Sequence, residues 1–171
     1  MLTALNRIYA AGTVLAALCM VAIALLTLAQ IAGRLVGVLI VDAGELAGFA
    51  MAGSIFFALA HTLRTGGHIR VNLLLTRLPP GIRHIFEIWS LGTAIVLSGM
   101  FAFFSVRMVI ESYEFNDVST GMIPVPLWIP QLSMAAGAVL FVVALLHEFI
   151  LIIRGREAGY MAAENTEAYT E

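Results

Sequence analysis

The sequence predicts an all-α membrane protein with four transmembrane helices. The 171-residue chain is 61% hydrophobic and 12% charged, whereas an ordinary soluble domain is about 45–50% apolar and about 25% charged. Its mean hydropathy is +0.97. Four apolar stretches each approach the roughly 20 residues that a helix needs to cross about 30 Å of hydrocarbon. Helices are expected because each backbone N–H and C=O in lipid must be paired locally.

Charged residues delimit these four stretches. The first span is bounded by Arg7 and Arg34, and we expect it to be retained, because its apolar run exceeds the usual 7–15 residues of a signal-peptide core.

Residues 155–171 hold four acids and little apolar content, which predicts a flexible acidic cytoplasmic tail. The transmembrane domain is predicted over residues 1–154, with spans at about 9–31, 46–63, 88–106 and 128–153.

The distribution of arginine predicts the orientation. All nine cationic side chains are arginines. Seven of them lie near the termini or between spans two and three, and the exceptions are Arg34 and Arg107. Because arginine is enriched in cytoplasmic loops, we predict that both termini and this connection are cytoplasmic, an N-in/C-in topology.

The arginine-rich connection, residues 64–84, has a pattern of its own. Gly66 and Gly67 are expected to break the second helix, and prolines follow at 79 and 80. A short amphipathic segment between them is predicted to lie in the headgroup layer, with arginines toward anionic lipid. Nucleic-acid binding is not expected, because no aromatic residue interleaves the arginines. The candidate contacts to lipid headgroups are Arg64, His68, Arg70 and Arg77.

Motifs for catalysis are missing from the sequence. It contains no nucleotide-binding glycine loop, no metal-spaced Cys/His cluster and no nucleophile elbow. We therefore expect no enzyme activity, no cofactor and no metal. The ionisable residues within the spans, His61, His147 and Glu148, are expected to reach headgroups or pair with loop arginines. An alternative remains open, in which His61 and His147 hold a haem in a membrane-anchor subunit of a redox complex.

Two further patterns are candidates for contact with partners. Glu111, Glu114 and Asp117 form an acidic rim after span three, which is either solvated surface or a docking site for a soluble protein. In span two, a stripe of small residues repeats every fourth position. Such a face lets helices approach closely, either within the bundle or against a second membrane protein. The stripe comprises Gly44, Gly48 and Ala52.

Three motifs in order resemble a known family over about residues 5–154. Span two opens with GELAGF, its end is followed by HTLRTGGHIRVNLLLTRLPPGIR, and span four is preceded by STGMIPVPLWIP. The most specific is R-x-G-x-H-I-x-V, which is carried by Arg64, Gly66 or Gly67, His68, Ile69 and Val71. With four spans and this length, the chain resembles the small membrane subunit of tripartite ATP-independent periplasmic (TRAP) transporters.

The resemblance implies a function in a bacterial inner membrane. In this family the small subunit assembles with a large multi-span subunit, which carries solute and coupling ion. A soluble periplasmic protein delivers the solute, often an organic acid. The resemblance thus implies a bracing and docking role here, with a large subunit, a binding protein and membrane lipid as partners. The remaining alternatives are the haem-binding anchor and a stand-alone small membrane protein.

Overall fold

A computed structural model describes residues 2–64 and 80–154, which form four long helices. The four-helix prediction is confirmed, since each helix includes a stretch long and apolar enough to cross a membrane. The predicted amphipathic segment and the predicted tail lie outside the described residues. The helices are α1 (Leu2–Leu35), α2 (Ala43–Arg64), α3 (Pro80–Glu114) and α4 (Trp128–Ile153).

Local sequence explains where α1 ends and where α3 begins and ends. Gly37, with a φ of +76°, follows the end of α1, and Val38 N donates to Gly33 O over 2.8 Å. This bond and the left-handed glycine are features of a Schellman-type helix end. Proline suits the first helical position, and α3 begins at Pro80. Instead of ending near residue 106, α3 continues to Glu114, because a charge limits the hydrocarbon-facing stretch but not the helix.

The helices pack in a row whose order differs from their order in the chain. Among the described residues, the extensive contacts are those of α1 on α2, α2 on α4 and α4 on α3. A smaller contact joins α2 to α3, where Phe56 stacks on Phe101 with ring centroids 5.7 Å apart. Burial agrees, because 33% of the most apolar stretch of α4 is buried, against 6% for α1. Along the helix axes, both α1 and α3 run toward the same side of the bundle, here called the loop end, where segments 36–42 and 115–127 meet. Consequently α2 and α4, the two central helices, run parallel.

Glycines allow the close approach of neighbouring helices. A Cβ at Gly53 of α2 would lie 3.2 Å from Cys19 Sγ of α1 and 3.4 Å from Ser133 Oγ of α4. A Cβ at Gly137 of α4 would lie 2.6 Å from the carbonyl oxygen of Phe56. In lipid, where association relies on packing rather than on the hydrophobic effect, such contacts are expected to hold helices together.

The core lies toward the end opposite the loop end and draws on all four helices. Leu91 is the most deeply buried of its large apolar side chains, at 1% exposed. Most other large apolar side chains point outward, as expected for surfaces that face lipid or another membrane protein. The buried core consists of Tyr9, Ala60, Leu63, Leu91, Ala144, Leu145 and Ile152.

Candidate functional site

The loop end is organised around a contact between two segments that are far apart in sequence. The backbone N–H of Ile123 donates to Asp42 Oδ2 over 2.6 Å, across 81 positions of the chain. Gly121 lies against the same carboxylate, since a Cβ there would be 3.0 Å from Asp42 Oδ2 and would overlap Glu45 Oε2. Segment 115–127 therefore rests directly on the start of α2.

Segment 115–127 has a folded shape of its own. Val118 and Pro126 form an antiparallel bridge, and Ser119 N donates to Val125 O over 2.8 Å. Nearby, Leu127 N donates to Asp117 O over 2.9 Å, so the segment returns to the start of α4. These bonds make it a compact hairpin.

The predicted acidic rim lies at the edge of this hairpin. Glu111, Glu114 and Asp117 are all exposed. Arg107 Nε donates to Glu111 Oε1 over 2.7 Å, an ion pair between residues one helical turn apart on α3. Arg107 already balances the charge of Glu111. Most of the uncompensated negative charge of the rim therefore comes from Glu114 and Asp117.

The loop end also carries exposed apolar side chains. Leu39 is 73% exposed, Phe115 75% and Met122 79%, and all three lie in the segments beyond the helices. Apolar patches outside a hydrocarbon span commonly mark contacts with other proteins or with the membrane surface. The loop end therefore combines apolar and acidic surface on a structured base.

The stripe of small residues on α2 points away from the other described helices. Gly44 and Gly48 are exposed, and nothing would lie within 4 Å of a Cβ at either position. The glycine of α2 that contacts neighbouring helices is Gly53, one position beyond Ala52. The stripe Gly44, Gly48 and Ala52 is therefore open at its loop-end half, and its role as a face for a partner remains a prediction.

The opposite end holds the ionisable residues within the spans. Glu148 is 0% exposed, so it does not reach the headgroups, and His147 Nδ1 lies 4.0 Å from its Oε1. Glu87 is also buried and lies one turn before Leu91 of the core. His61 is exposed. The sequence had indicated Glu148 as an ionisable residue in a span but not its burial, which depends on how α4 faces its neighbours.

The candidate headgroup contacts fall largely outside the described residues. Arg64 ends α2, but its side chain is not described, and His68, Arg70 and Arg77 lie in the stretch 65–79. Their proposed role at a lipid surface therefore stays a prediction.

Sequence reasoning missed Asp42 as a structural contact. An acid immediately before a helix, together with a glycine in STGMIPVP, was the available signal. Neither residue reveals from the sequence alone that the two segments meet.

Comparison with known proteins agrees with this architecture. The model of the family "Tripartite ATP-independent periplasmic transporters, DctQ component" matches residues 23–155. The C4-dicarboxylate TRAP transporter small permease protein DctQ of Rhodobacter capsulatus is 27% identical over 82 residues. That alignment covers 48% of this chain and 36% of the relative, so the chain spans little more than a third of that protein's length. Neither match supports the haem-binding alternative. The family match covers most of the chain and all or part of each of the four helices, and the protein therefore belongs to the DctQ family of TRAP transporter small components.

Proposed function

We propose that this chain is the small membrane subunit of a TRAP-type secondary transporter in a bacterial inner membrane. The observation that carries the proposal is the family match over residues 23–155. The fold supports it, because each of the four described spans is a continuous helix. Transport sites are commonly built from broken helices, so a row of unbroken helices suits a bracing role better than a solute site.

The other components of the transporter follow from this role. A large multi-span subunit carries the solute and is driven by an ion gradient. A periplasmic binding protein delivers an organic acid or a similar small solute. The name of the Rhodobacter capsulatus relative refers to C4-dicarboxylates, which makes such acids the first solutes to test. The small subunit acts by bracing the large one and by offering the loop end as a docking surface.

The large subunit is expected to contact the open stripe at Gly44 and Gly48, together with neighbouring apolar side chains such as Met51 and Ile55. Met51 is 56% exposed and Ile55 54%. A small-residue face beside larger apolar side chains offers a second membrane helix close backbone approach and a packing surface.

Affinity purification from native membranes in mild detergent tests the proposal. A large multi-span membrane protein should co-purify in stoichiometric amount and be identified by mass spectrometry. An unrelated tagged four-span membrane protein is the control for non-specific recovery. Recovery of the chain alone, or with redox subunits and a haem absorption spectrum, would contradict the proposed function.

A transport assay then tests the solute and the energy source. The co-purified complex is reconstituted in vesicles with its binding protein, and labelled C4-dicarboxylates and other organic acids are offered with and without a Na⁺ gradient. Uptake that needs both the binding protein and the gradient is expected. Uptake independent of both would show that this chain serves a different kind of transporter.

A further inference from the structure

We propose that Asp42 is a positioning residue, which fixes hairpin 115–127 on the start of α2 and so orients the docking surface of the loop end. The inference rests on the proposed function, because it assigns this residue a part in recognising the binding protein.

The hairpin has hydrogen bonds of its own, in addition to its contact with Asp42. Its bridge between Val118 and Pro126 and the bonds of Ser119 lie within the segment. Ser119 Oγ adds contacts with Ile123 O and Val125 N, both at 3.3 Å. The internal bonds set the shape of the hairpin but not its position relative to α2.

The position depends on the contact with Asp42. The 2.6 Å bond from Ile123 N is short and has a charged acceptor, which makes it stronger than a bond between neutral groups. Asp42 is also coupled to the helix, since its carbonyl oxygen accepts from Leu46 N over 3.0 Å. One residue thereby joins the first turn of α2 to the hairpin.

The backbone of Asp42 indicates that its side chain has a specific use. Its φ is +56°, a left-handed conformation that glycine adopts readily, that aspartate and asparagine tolerate, and that most other residues avoid. Glycine would suit this backbone better but would remove the carboxylate that receives Ile123 N. The presence of aspartate where glycine is conformationally favoured is consistent with a requirement for the acceptor.

Gly121 makes the contact possible from the other side. A Cβ at this position would overlap Glu45 Oε2 and lie 3.0 Å from both Cγ and Oδ2 of Asp42. A side chain here would push the hairpin away from α2 or displace both carboxylates. The glycine of the STGMIPVP motif thus has a steric role that complements the hydrogen bond.

The junction connects two surfaces. On one side, the hairpin carries Asp117 and the exposed side chains of Phe115 and Met122. On the other, Gly44 begins the open stripe of α2 two residues after Asp42. Displacing the hairpin would change the angle at which a docked soluble protein meets the large subunit, without changing the helices themselves.

The first test measures the junction itself by hydrogen exchange and mass spectrometry on the purified transporter complex. Asp42→Gly keeps the left-handed backbone and removes only the acceptor, so peptides containing Ile123 should exchange roughly tenfold faster, as expected for loss of a hydrogen bond to a charged group. Asp42→Asn retains an oxygen acceptor, and asparagine tolerates the left-handed backbone. Peptides containing Ile123 should therefore exchange at close to the wild-type rate in this variant. Asn116→Gly is the matched control, because Asn116 also has a positive φ, of 54°, but makes no side-chain bond to α2.

The second test measures function as uptake against the concentration of binding protein. For Asp42→Gly we expect the half-saturating concentration to rise roughly tenfold with the maximal rate retained, since the helices and the solute site are unchanged. Asp42→Asn should restore a value close to that of the wild type. A purely structural fault would lower the maximal rate and the recovery of the complex instead.

Two outcomes would overturn the proposal. Unchanged exchange at Ile123 in Asp42→Gly would mean that the contact does not hold the hairpin. Faster exchange with an unchanged half-saturating concentration would mean that the contact does not position the docking surface. Failure of the proposed function looks different, because the wild-type complex would then contain no large subunit or show no dependence on a binding protein.

Discussion

At the scale of single residues, Gly137 shows how tightly the central helices meet. A Cβ there would be 2.6 Å from the carbonyl oxygen and from Cβ of Phe56. One of these is a backbone atom, so relief requires a shift of α2 relative to α4. The fit between the two helices therefore depends on the absence of a side chain at this position.

Substituting this glycine should destabilise the protein. We expect Gly137→Ala to lower the free energy of unfolding by about 1–3 kcal/mol, the usual cost of overpacking a filled interior. The measurement is the midpoint of thermal or SDS unfolding in detergent. Gly99→Ala on α3 is the control, because nothing lies within 4 Å of a Cβ there and alanine favours helix. An equal midpoint for Gly137→Ala and wild type would contradict this account of the packing.

Glycine spacing shows what the sequence could and could not predict. The repeat at Gly44, Gly48 and Ala52 correctly indicates residues that share one side of α2. It does not indicate the direction of that side, because the direction depends on which helices lie next to α2. The structure places the close contacts at Gly53 and Gly137 and leaves Gly44 and Gly48 open.

At the scale of elements, α2 offers a face that no described neighbour uses. We expect Gly48→Leu to reduce co-purification of the large subunit by about tenfold or more, since a bulky side chain blocks close helix approach. The amount of this chain in the membrane should not change, because Gly48 has no neighbour within 4 Å. Gly99→Leu, at an open glycine of α3, is the matched control. Equal recovery of the large subunit with both variants would assign the partner to another face.

The end of α3 carries the acidic rim, and its three acids are expected to differ in how much they contribute to the affinity for the binding protein. Neutralising Glu114 and Asp117 together, as Glu114→Gln and Asp117→Asn, should raise the half-saturating concentration of binding protein roughly threefold to tenfold at low salt. The increase should shrink at high salt, where exposed charges are screened. Glu111→Gln should have a smaller effect, because Arg107 already pairs with Glu111 at 2.7 Å. If the double variant matches wild type at low salt, the rim is only solvated surface.

Element boundaries were predictable to the extent that charge marks them. The fourth span was predicted over 128–153, and α4 is Trp128–Ile153, since prolines precede it and Arg154 follows. The third helix is longer than its predicted span at both ends, because Pro80 initiates a helix well and the Arg107–Glu111 pair suits an exposed helix end. The order of packing, α1–α2–α4–α3, could not be predicted, since all four helices are apolar on most sides.

At the scale of the whole molecule, the arginine distribution predicts that the loop end faces the periplasm. A single-cysteine assay measures this, because Cys19 is the only cysteine in the chain. In a Cys19→Ala background, Asn116→Cys should react with an impermeant maleimide in cells whose outer membrane has been permeabilised. Leu2→Cys, near the other end, should react only after the inner membrane is broken. The reverse labelling pattern would invert the predicted topology.

The packing order α1–α2–α4–α3 divides the described helices into two antiparallel pairs, α1–α2 and α3–α4, which meet through the parallel helices α2 and α4. We expect each helix pair to insert into the membrane as a unit, and the native protein to form by lateral association of the two pairs. A gene cut between the codons for Arg64 and Pro80 should therefore yield fragments that reassemble when they are produced together. Gly137→Ala should impair that reassembly more than it impairs the intact chain, because the intact chain keeps the two halves at high local concentration.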